Sequence, residues 1–180
     1  MTLPRKLKNM TLFNDGQSYL GEVASVTLPN LARQMEEWRG GGMDGPVKID
    51  MGQQALELEW KCGGFMRDVC RQYGVTTVAG VMLRFVGAYQ NDQTGTVDQV
   101  EIVVRGRHEE ISPGEAKPGD DTEFGAKTAC AYYKLSVNGE TDVEIDLLNM
   151  VFISGGVDRL AEIRNALGVG GASLDSLLGG

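Results

Sequence analysis

The sequence has few of the residues that cross-link a chain or hold a metal. It contains 180 residues but only three cysteines, Cys62, Cys70 and Cys130, without Cys-x-x-Cys spacing. This odd number argues against a disulfide framework and against a zinc site. The pattern is typical of reduced thiols, and we expect a protein that is made and folded in a cytoplasm.

Long apolar runs and an excess of basic residues are also missing. No apolar stretch is long enough to span a bilayer, and the N-terminus lacks the apolar segment of a signal peptide, so we expect no membrane anchor. The formal net charge of −8 argues against general affinity for phosphate backbones. Five prolines against 25 glycines favour a β-rich fold with many turns.

Signatures of catalysis are scarce as well. His108, the only histidine, stands beside Glu109 and Glu110, but a triad also needs a placed nucleophile, and no Gly-x-Ser-x-Gly segment is present. The three glycines that begin at Gly40 lack the Gly-Lys-Ser/Thr ending of a P-loop. The acidic pairs lack the alternating oxygen ligands of an EF-hand loop. We expect no enzymatic activity, no cofactor and no metal.

Period-two alternation of apolar and polar residues predicts strands through most of the chain. Asn138 and Gly139 form a favoured two-residue turn and predict a tight hairpin. The alternation changes phase after Leu147, which indicates a bulge or a strand passing into a second packing environment; we favour the second. The clearest strand segments are 56–60, 81–86, 99–105, 133–137 and 143–147.

Two short helices complete the predicted fold class. Apolar stripes at helical spacing predict helices over 65–74 and 157–168, with Gly74 and Gly168 as stops. Residues 112–122 carry two Pro-Gly pairs and predict a surface loop. The class is therefore α+β but mainly β: an antiparallel β-sandwich or barrel with one or two short helices.

Two segments have no evident core of their own. Residues 1–16 form a basic, extended N-terminal arm, and residues 39–50 form a glycine-broken loop. Segments of this kind usually become ordered against another chain. They therefore point to an assembly protein rather than an enzyme.

Carboxylates recur on the polar faces of the predicted strands. One interpretation is a solvated outer face. The other is a water-filled lumen, formed when several subunits combine their sheets, whose acidic wall would repel phosphates and let a nucleic acid slide. Both interpretations stay open. The candidate lumen-facing residues are Glu57, Glu59, Glu101, Glu144 and Asp146.

Several long strings, read in order, resemble the major tail tube protein family of contractile-tail bacteriophages and R-type pyocin-like particles. The resemblance covers nearly the whole chain to about Gly168. The strings are LPRKLKN (3–9), LFNDG (12–16), MEEWRGGGM (35–43), GPVK (45–48), ALELEW (55–60), LRF (83–85), VRGRH (104–108), YYKL (132–135), EIDLLNM (144–150) and GVDRL (156–160).

The resemblance implies a tube of stacked hexameric rings whose sheets join between subunits into a closed inner barrel. It implies a conduit for DNA or ions through the bacterial envelope, located in the virion tail and assembled in the host cytoplasm. Its implied partners are further copies of the chain, a tail sheath protein, a baseplate or tube initiator, a tape measure protein, and DNA passing through the lumen. The implied contacts between subunits and rings are Arg5, Lys6, Lys8, Trp38, Arg39, Gly40, Gly41, Gly42, Met43, Asp44, Pro46 and Lys48.

Residues 1–168 are thus expected to form the tail tube domain. Residues 169–180 are expected to form a flexible tail, with binding to the sheath or another particle component as the alternative. The main alternative function is a soluble β-barrel that binds a small ligand in its own cavity. A hydrolase that uses His108 is a third and weaker hypothesis.

Overall fold

The fold consists almost entirely of antiparallel strands. A computed structural model describes residues 1–169 and shows twelve strands and two short helices in that part of the chain. The elements are β1 (Arg5–Asn14), β2 (Gln17–Ser18), β3 (Val23–Thr27), β4 (Arg33–Trp38), β5 (Val47–Gln53), β6 (Leu56–Cys62), α1 (Arg67–Arg71), β7 (Val81–Asn91), β8 (Val97–Ser112), β9 (Phe124–Val137), β10 (Glu140–Asp146), β11 (Val151–Ser154), β12 (Val157–Asp158) and α2 (Ala161–Ala166).

Ten of these strands form one sheet, and β4 and β5 form a separate hairpin. The main sheet has the order β12-β11-β10-β9-β8-β7-β1-β2, while β6 pairs with the first half of β9 and β3 pairs with β6. Asn138 and Gly139 have φ values of 51° and 85°, so the predicted tight turn joins β9 to β10. The mainly β, antiparallel fold class is confirmed.

The two longest strands, β8 and β9, join two halves of this sheet. Their register shifts between Arg105 and Gly106, and such a bulge bends a strand. Gly106 lies so close to β9 that an added Cβ would stand 2.0 Å from the Ala129 carbonyl oxygen. Only glycine fits there. The bend lets the β6–β3 half fold back over the β7–β1 half, and β3 reaches the side of β1.

The inner faces of the two halves share one hydrophobic core. Leu12 and Phe85 from one half cluster with Leu58 and Trp60 from the other, and all four are at most 1% exposed. The Trp60 ring also stacks on Tyr19, with 5.6 Å between ring centroids. Side chains therefore fill the space between the two halves. A barrel that binds a small ligand, the main alternative function, would need a cavity there.

The helices are shorter than the sequence pattern predicts. The predicted helix 65–74 is reduced to α1, and the predicted helix 157–168 begins only at Ala161. Gly155 and Gly156, with φ of 59° and 77°, turn the chain so that 157–158 pair with β11 as strand β12. Tertiary pairing therefore takes precedence over the helical pattern at 157–160.

The favoured interpretation of the phase change after Leu147 is wrong. The strand ends at Asp146, and residues 147–150 form a turn that leads into β11. The Asp146 carboxylate accepts N–H groups from Leu148 and Asn149, each at 3.0 Å. This side-chain bonding closes the turn and ends the strand.

The N-terminal segment is also not a free arm. Residues 5–14 form β1 and pair with β7 of the same chain, so they are ordered without a second copy. Polar side chains hide this strand in the sequence, because its outer residues are exposed while only its end enters the core. The predicted tail, 169–180, lies outside the described residues except for Val169. Within residues 1–169, neither helix has the length or apolar character needed to cross a bilayer.

Candidate assembly surfaces

The β4–β5 hairpin exposes several large apolar side chains on one face. Trp38 pairs with Val47 and Glu36 pairs with Ile49, so alternation places these residues and Met51 on one face. Trp38 is 59% exposed, Val47 49%, Ile49 45% and Met51 59%. A two-stranded hairpin is marginal by itself, and this apolar face has no cover within the described chain.

The opposite face of the hairpin is mainly polar, with Met35 as an exposed apolar residue among charged ones. Met35 pairs with Asp50 and Glu37 pairs with Lys48. The hairpin is therefore amphipathic although both of its faces are exposed. Such a pattern is typical of a surface that is covered by another molecule.

The hairpin tip is shorter than the predicted loop. Residues 39–46 connect the two strands, while 47–50, assigned to the loop from sequence, belong to β5. Arg39 Nε donates to the Met43 carbonyl oxygen at 3.2 Å, and the Gly40 N–H lies 3.1 Å from Met43 Sδ. Gly42 has a φ of 84°, which glycine adopts without strain. The remaining predicted contact residues, Gly41, Asp44 and Pro46, are exposed here.

A second surface is the outer edge of β1. One side of β1 pairs with β7, whereas its other side pairs with β2 only at Phe13 and Asn14. In the described chain, residues 5–11 therefore have an open strand edge. An open edge presents unpaired N–H and C=O groups that can pair with another chain.

The basic residues of β1 have acidic neighbours in their own chain. Arg5 forms an ion pair with Asp98, and Lys8 Nζ lies 2.8 Å from Asp92. Lys6 lies between them and is exposed. The sequence predicts that these cations meet carboxylates of a neighbouring subunit, whereas two of the three already have partners within the chain.

The five candidate carboxylates all lie on the outward face of the sheet, but on different halves. Glu57 and Glu59 belong to β6, whereas Glu101, Glu144 and Asp146 belong to the half formed by β7–β10. Since the inner faces of the halves pack on each other, their outward faces point in different directions. The residues therefore form two sets rather than one acidic wall.

Cations accompany both sets. Arg84 donates to Glu101 Oε2 through Nε at 2.9 Å and through Nη2 at 2.6 Å, and its guanidinium stands 5.1 Å from the Phe13 ring centroid. Lys127 Nζ lies 3.0 Å from Glu57, whose hydrogen bond raises the pKa of Lys127. These contacts balance much of the negative charge that the sequence places on the strands.

Glu144 is bound in a similar way. Tyr132 donates its hydroxyl to Glu144 at 2.8 Å, and the Arg105 guanidinium stands 5.6 Å from the Tyr132 ring. Burial, and the hydrogen bond to Glu144, raise the pKa of Tyr132 well above its usual range. Lys134 is the direct cross-strand neighbour of Glu144. The β7–β10 face therefore mixes both charge signs instead of being uniformly acidic.

His108 lies in a buried structural network. Its Nδ1 is 3.0 Å from Thr128 Oγ1, and its Nε2 is 3.1 Å from Gln72 Oε1. Gln72 in turn binds Asn14 and Asp15, so the network ties the end of α1 to β1 and to the core. Burial lowers the pKa of His108 and favours the neutral ring. Both ring nitrogens of His108 therefore have hydrogen-bond partners, the Thr128 hydroxyl and the Gln72 side-chain amide.

Sequence reasoning missed part of the assembly surface. It selected Trp38 and Met43 as apolar contacts but not Val47, Ile49 and Met51, which extend the same face. Their alternation at 47, 49 and 51 was readable as a strand. It was hidden by the glycines at 40–42, which favoured one long loop.

A curled β-subunit with an open strand edge and an uncovered apolar hairpin belongs to the class of structural assembly proteins. The match of residues 4–168 to the model of the phage tail tube protein FII family makes the assignment specific. The chain belongs to this family of phage tail tube proteins, which are structural components of the virion tail.

Relatives support the same assignment over the full length. The chain is 46% identical over 172 residues to the tail tube protein of Escherichia phage P2, covering 94% of this chain and 100% of that protein. It is 41% identical over 174 residues to the major tail tube protein of Serratia phage KSP20, covering 95% and 100%.

A solved structure with little sequence similarity has the same fold. A chain in the cryo-EM structure of the sheath–tube complex of PVC, an extracellular contractile injection system, in its extended state matches with a TM-score of 0.55 at 13% identity. The match covers 74% of this chain and 91% of that chain. At this identity the match concerns the fold alone.

Proposed function

We propose that this tail tube subunit forms stacked hexameric rings whose sheets join into a closed inner barrel. The resulting tube is a conduit for DNA or ions inside a contractile tail, and the subunit itself performs no catalysis. The observation that carries the proposal is the uncovered apolar face of the β4–β5 hairpin. A projecting element of this kind gains its stability when it docks on another copy.

The open edge of β1 supports pairing within a ring. Residues 5–11 offer backbone groups to a neighbouring sheet, and a closed barrel removes such edges from solvent. In the proposed tube, the edge and the hairpin each contact a different surface of the next copy. Contacts of this heterologous kind build rings and filaments rather than closed dimers.

The β7–β10 face, with Glu101, Glu144 and Asp146, is the better candidate for the lumen. It belongs to the sheet that carries the open edge, so joining sheets through β1 makes this face continuous around a ring. Glu57 and Glu59 then point elsewhere. Because Arg84 pairs with Glu101, the wall is close to balanced in charge, and a polyanion would be neither held nor strongly repelled.

The proposed partners follow from the family. A tail sheath protein around the tube agrees with the fold match to a chain of a sheath–tube complex. A tape measure protein, a baseplate or tube initiator, and passing DNA are proposed from the resemblance alone. Assembly in the host cytoplasm is proposed on the same ground.

Replacing the hairpin tests the proposal. Arg33 and Gln53 are register partners, so an Asn-Gly turn can join them in place of residues 34–52. We expect a folded monomer that melts like the natural chain but forms no tubes, measured by pelleting and negative-stain microscopy over a concentration series. A variant with Asn-Gly inserted in the exposed 112–122 loop controls for the engineered turn. Tubes formed by the hairpin variant at the natural concentration would refute the proposal.

A further inference from the structure

One guanidinium connects the β4–β5 hairpin to the main sheet. Arg33, at the start of β4, donates from Nε to Asp50 Oδ2 at 2.8 Å and so spans the two hairpin strands. The same guanidinium stands 4.9 Å from the ring centroid of Phe152 in β11. Arg33 therefore touches the hairpin and the main sheet at the same time.

Other bonds at the hairpin base join its strands only to each other or to flanking residues. Gln53 Nε2 donates to the Ala32 carbonyl oxygen at 3.0 Å, and the Gln54 N–H donates to the same oxygen at 2.9 Å. Asp50 Oδ1 accepts the Gly52 N–H at 2.9 Å. None of these bonds reaches a strand of the main sheet.

The junction also leaves room for movement. A crevice of about 160 Å³ lies between the hairpin base and the body, lined in part by Arg33, Gly52, Phe152 and Leu160. Gly52 has a φ of 122°, a conformation that other residues rarely adopt. A β-bulge between Arg33 and Met35 adds a second irregular point on the facing strand. Both irregular points therefore lie where the hairpin joins the body, beside the crevice that Arg33 borders.

We propose that Arg33 is a positioning residue, whose cation–π contact with Phe152 holds the hairpin at the angle its apolar face needs to dock on a neighbouring copy. This inference rests on the proposed function of the hairpin. Only copies whose hairpin stands at the correct angle to the main sheet can dock. Holding that angle therefore raises the fraction of free subunits that are able to assemble. The guanidinium suits this task because its rigid fork of donors can bind a carboxylate while its face lies over a ring, whereas the compact lysine ammonium reproduces both contacts less well.

The test measures the lowest concentration at which the full chain forms tubes. If Arg33→Ala lets the hairpin sample about ten orientations, the competent fraction falls and this concentration rises about tenfold. Arg33→Lys keeps the charge near Asp50 but weakens the contact with the Phe152 ring, so we expect most of the same rise. The matched control is Arg71→Ala, which removes an exposed arginine from α1 and should leave the concentration unchanged.

A double-mutant comparison separates positioning from general stability. Phe152→Leu should raise the lowest tube-forming concentration by a similar factor. The double variant Arg33→Ala/Phe152→Leu should raise it little further, because both substitutions remove the same contact. Thermal melting of the monomer identifies any loss of folding. If Arg33→Ala unfolds the chain, Arg33→Lys decides: a raised concentration supports the inference and an unchanged one overturns it.

The outcome is distinguishable from failure of the proposed function. Tubes at the natural concentration from Arg33→Ala, together with none from the hairpin replacement, would overturn the positioning role and leave the hairpin role intact. Tubes from the hairpin replacement itself would overturn both.

Discussion

Replacing Trp38 by serine tests how much the apolar face of the hairpin contributes to assembly. Trp38 lies at the tip end of β4 and is 59% exposed in the free subunit. Its removal takes no contact from the hydrophobic core, of which it is not a member. We therefore expect the monomer to fold normally and to lose association energy instead.

The magnitude follows from the exposed area. A tryptophan side chain that is 59% exposed offers on the order of 100–150 Å² to a partner. At about 25 cal/mol per Å², burying that area stabilises each docked copy by roughly 3 kcal/mol. Because 1.4 kcal/mol corresponds to about a tenfold change in an equilibrium constant, Trp38→Ser should raise the concentration needed for tubes by about a hundredfold.

The assay pellets purified protein over a concentration series and images the pellets by negative stain. The matched control is Glu37→Ser, one residue away on the opposite face, which should shift the concentration by less than about threefold. Thermal melting checks that both monomers fold. A Trp38→Ser chain that forms tubes at the natural concentration would show that this face stays exposed in the assembly, and would refute its role in docking.

Two further predictions concern the β7–β10 face and the buried histidine. Glu101→Gln leaves Arg84 unpaired; if this face lines the lumen, DNA release from complemented particles should slow, and adding Arg84→Gln should restore it. An unchanged release rate would place this face elsewhere. Burial holds the pKa of His108 below its unfolded value of about 6.5, so the unfolded chain binds the extra proton first and stability should fall as pH drops below about 6.5. Denaturant unfolding at pH 7 and pH 5 should show a smaller loss for His108→Asn; an equal loss would rule out the histidine as its source.

Local features of the fold were predictable because they depend on neighbouring residues. Alternation over 56–60 marks β6, whose inner residues are buried and outer residues exposed. The Asn138-Gly139 pair marks its hairpin because both residues tolerate a positive φ. The helix over 157–160 was predicted wrongly, since two glycines turn that segment back onto β11, a long-range pairing that helical spacing does not show.

The assembly surfaces were predictable only in part. Trp38 and Met43 were selected from sequence, but β1 was taken for a free arm because four of its residues 5–9 are polar and all five are exposed. The separation of Glu57 and Glu59 from Glu101, Glu144 and Asp146 depends on how the sheet curls. The cation–π contact of Arg33 with Phe152 joins distant parts of the chain and leaves no periodic signal.

The sequence alone determined that this is an acidic, strand-rich chain with apolar and glycine-rich segments near residues 38–46, because composition and local alternation carry that information. Its resemblance to the tail tube family comes from several long strings of residues in the same order. Only the tertiary structure decided which strand edge stays open, which carboxylates share a face and how the hairpin is held. Those properties depend on strand register and on the bend at Gly106. At that bend the backbone of Ala129 comes so close that only glycine fits. Register between distant strands is determined by packing in the core. That packing brings together residues far apart in the chain, and a local sequence pattern carries no information about such contacts.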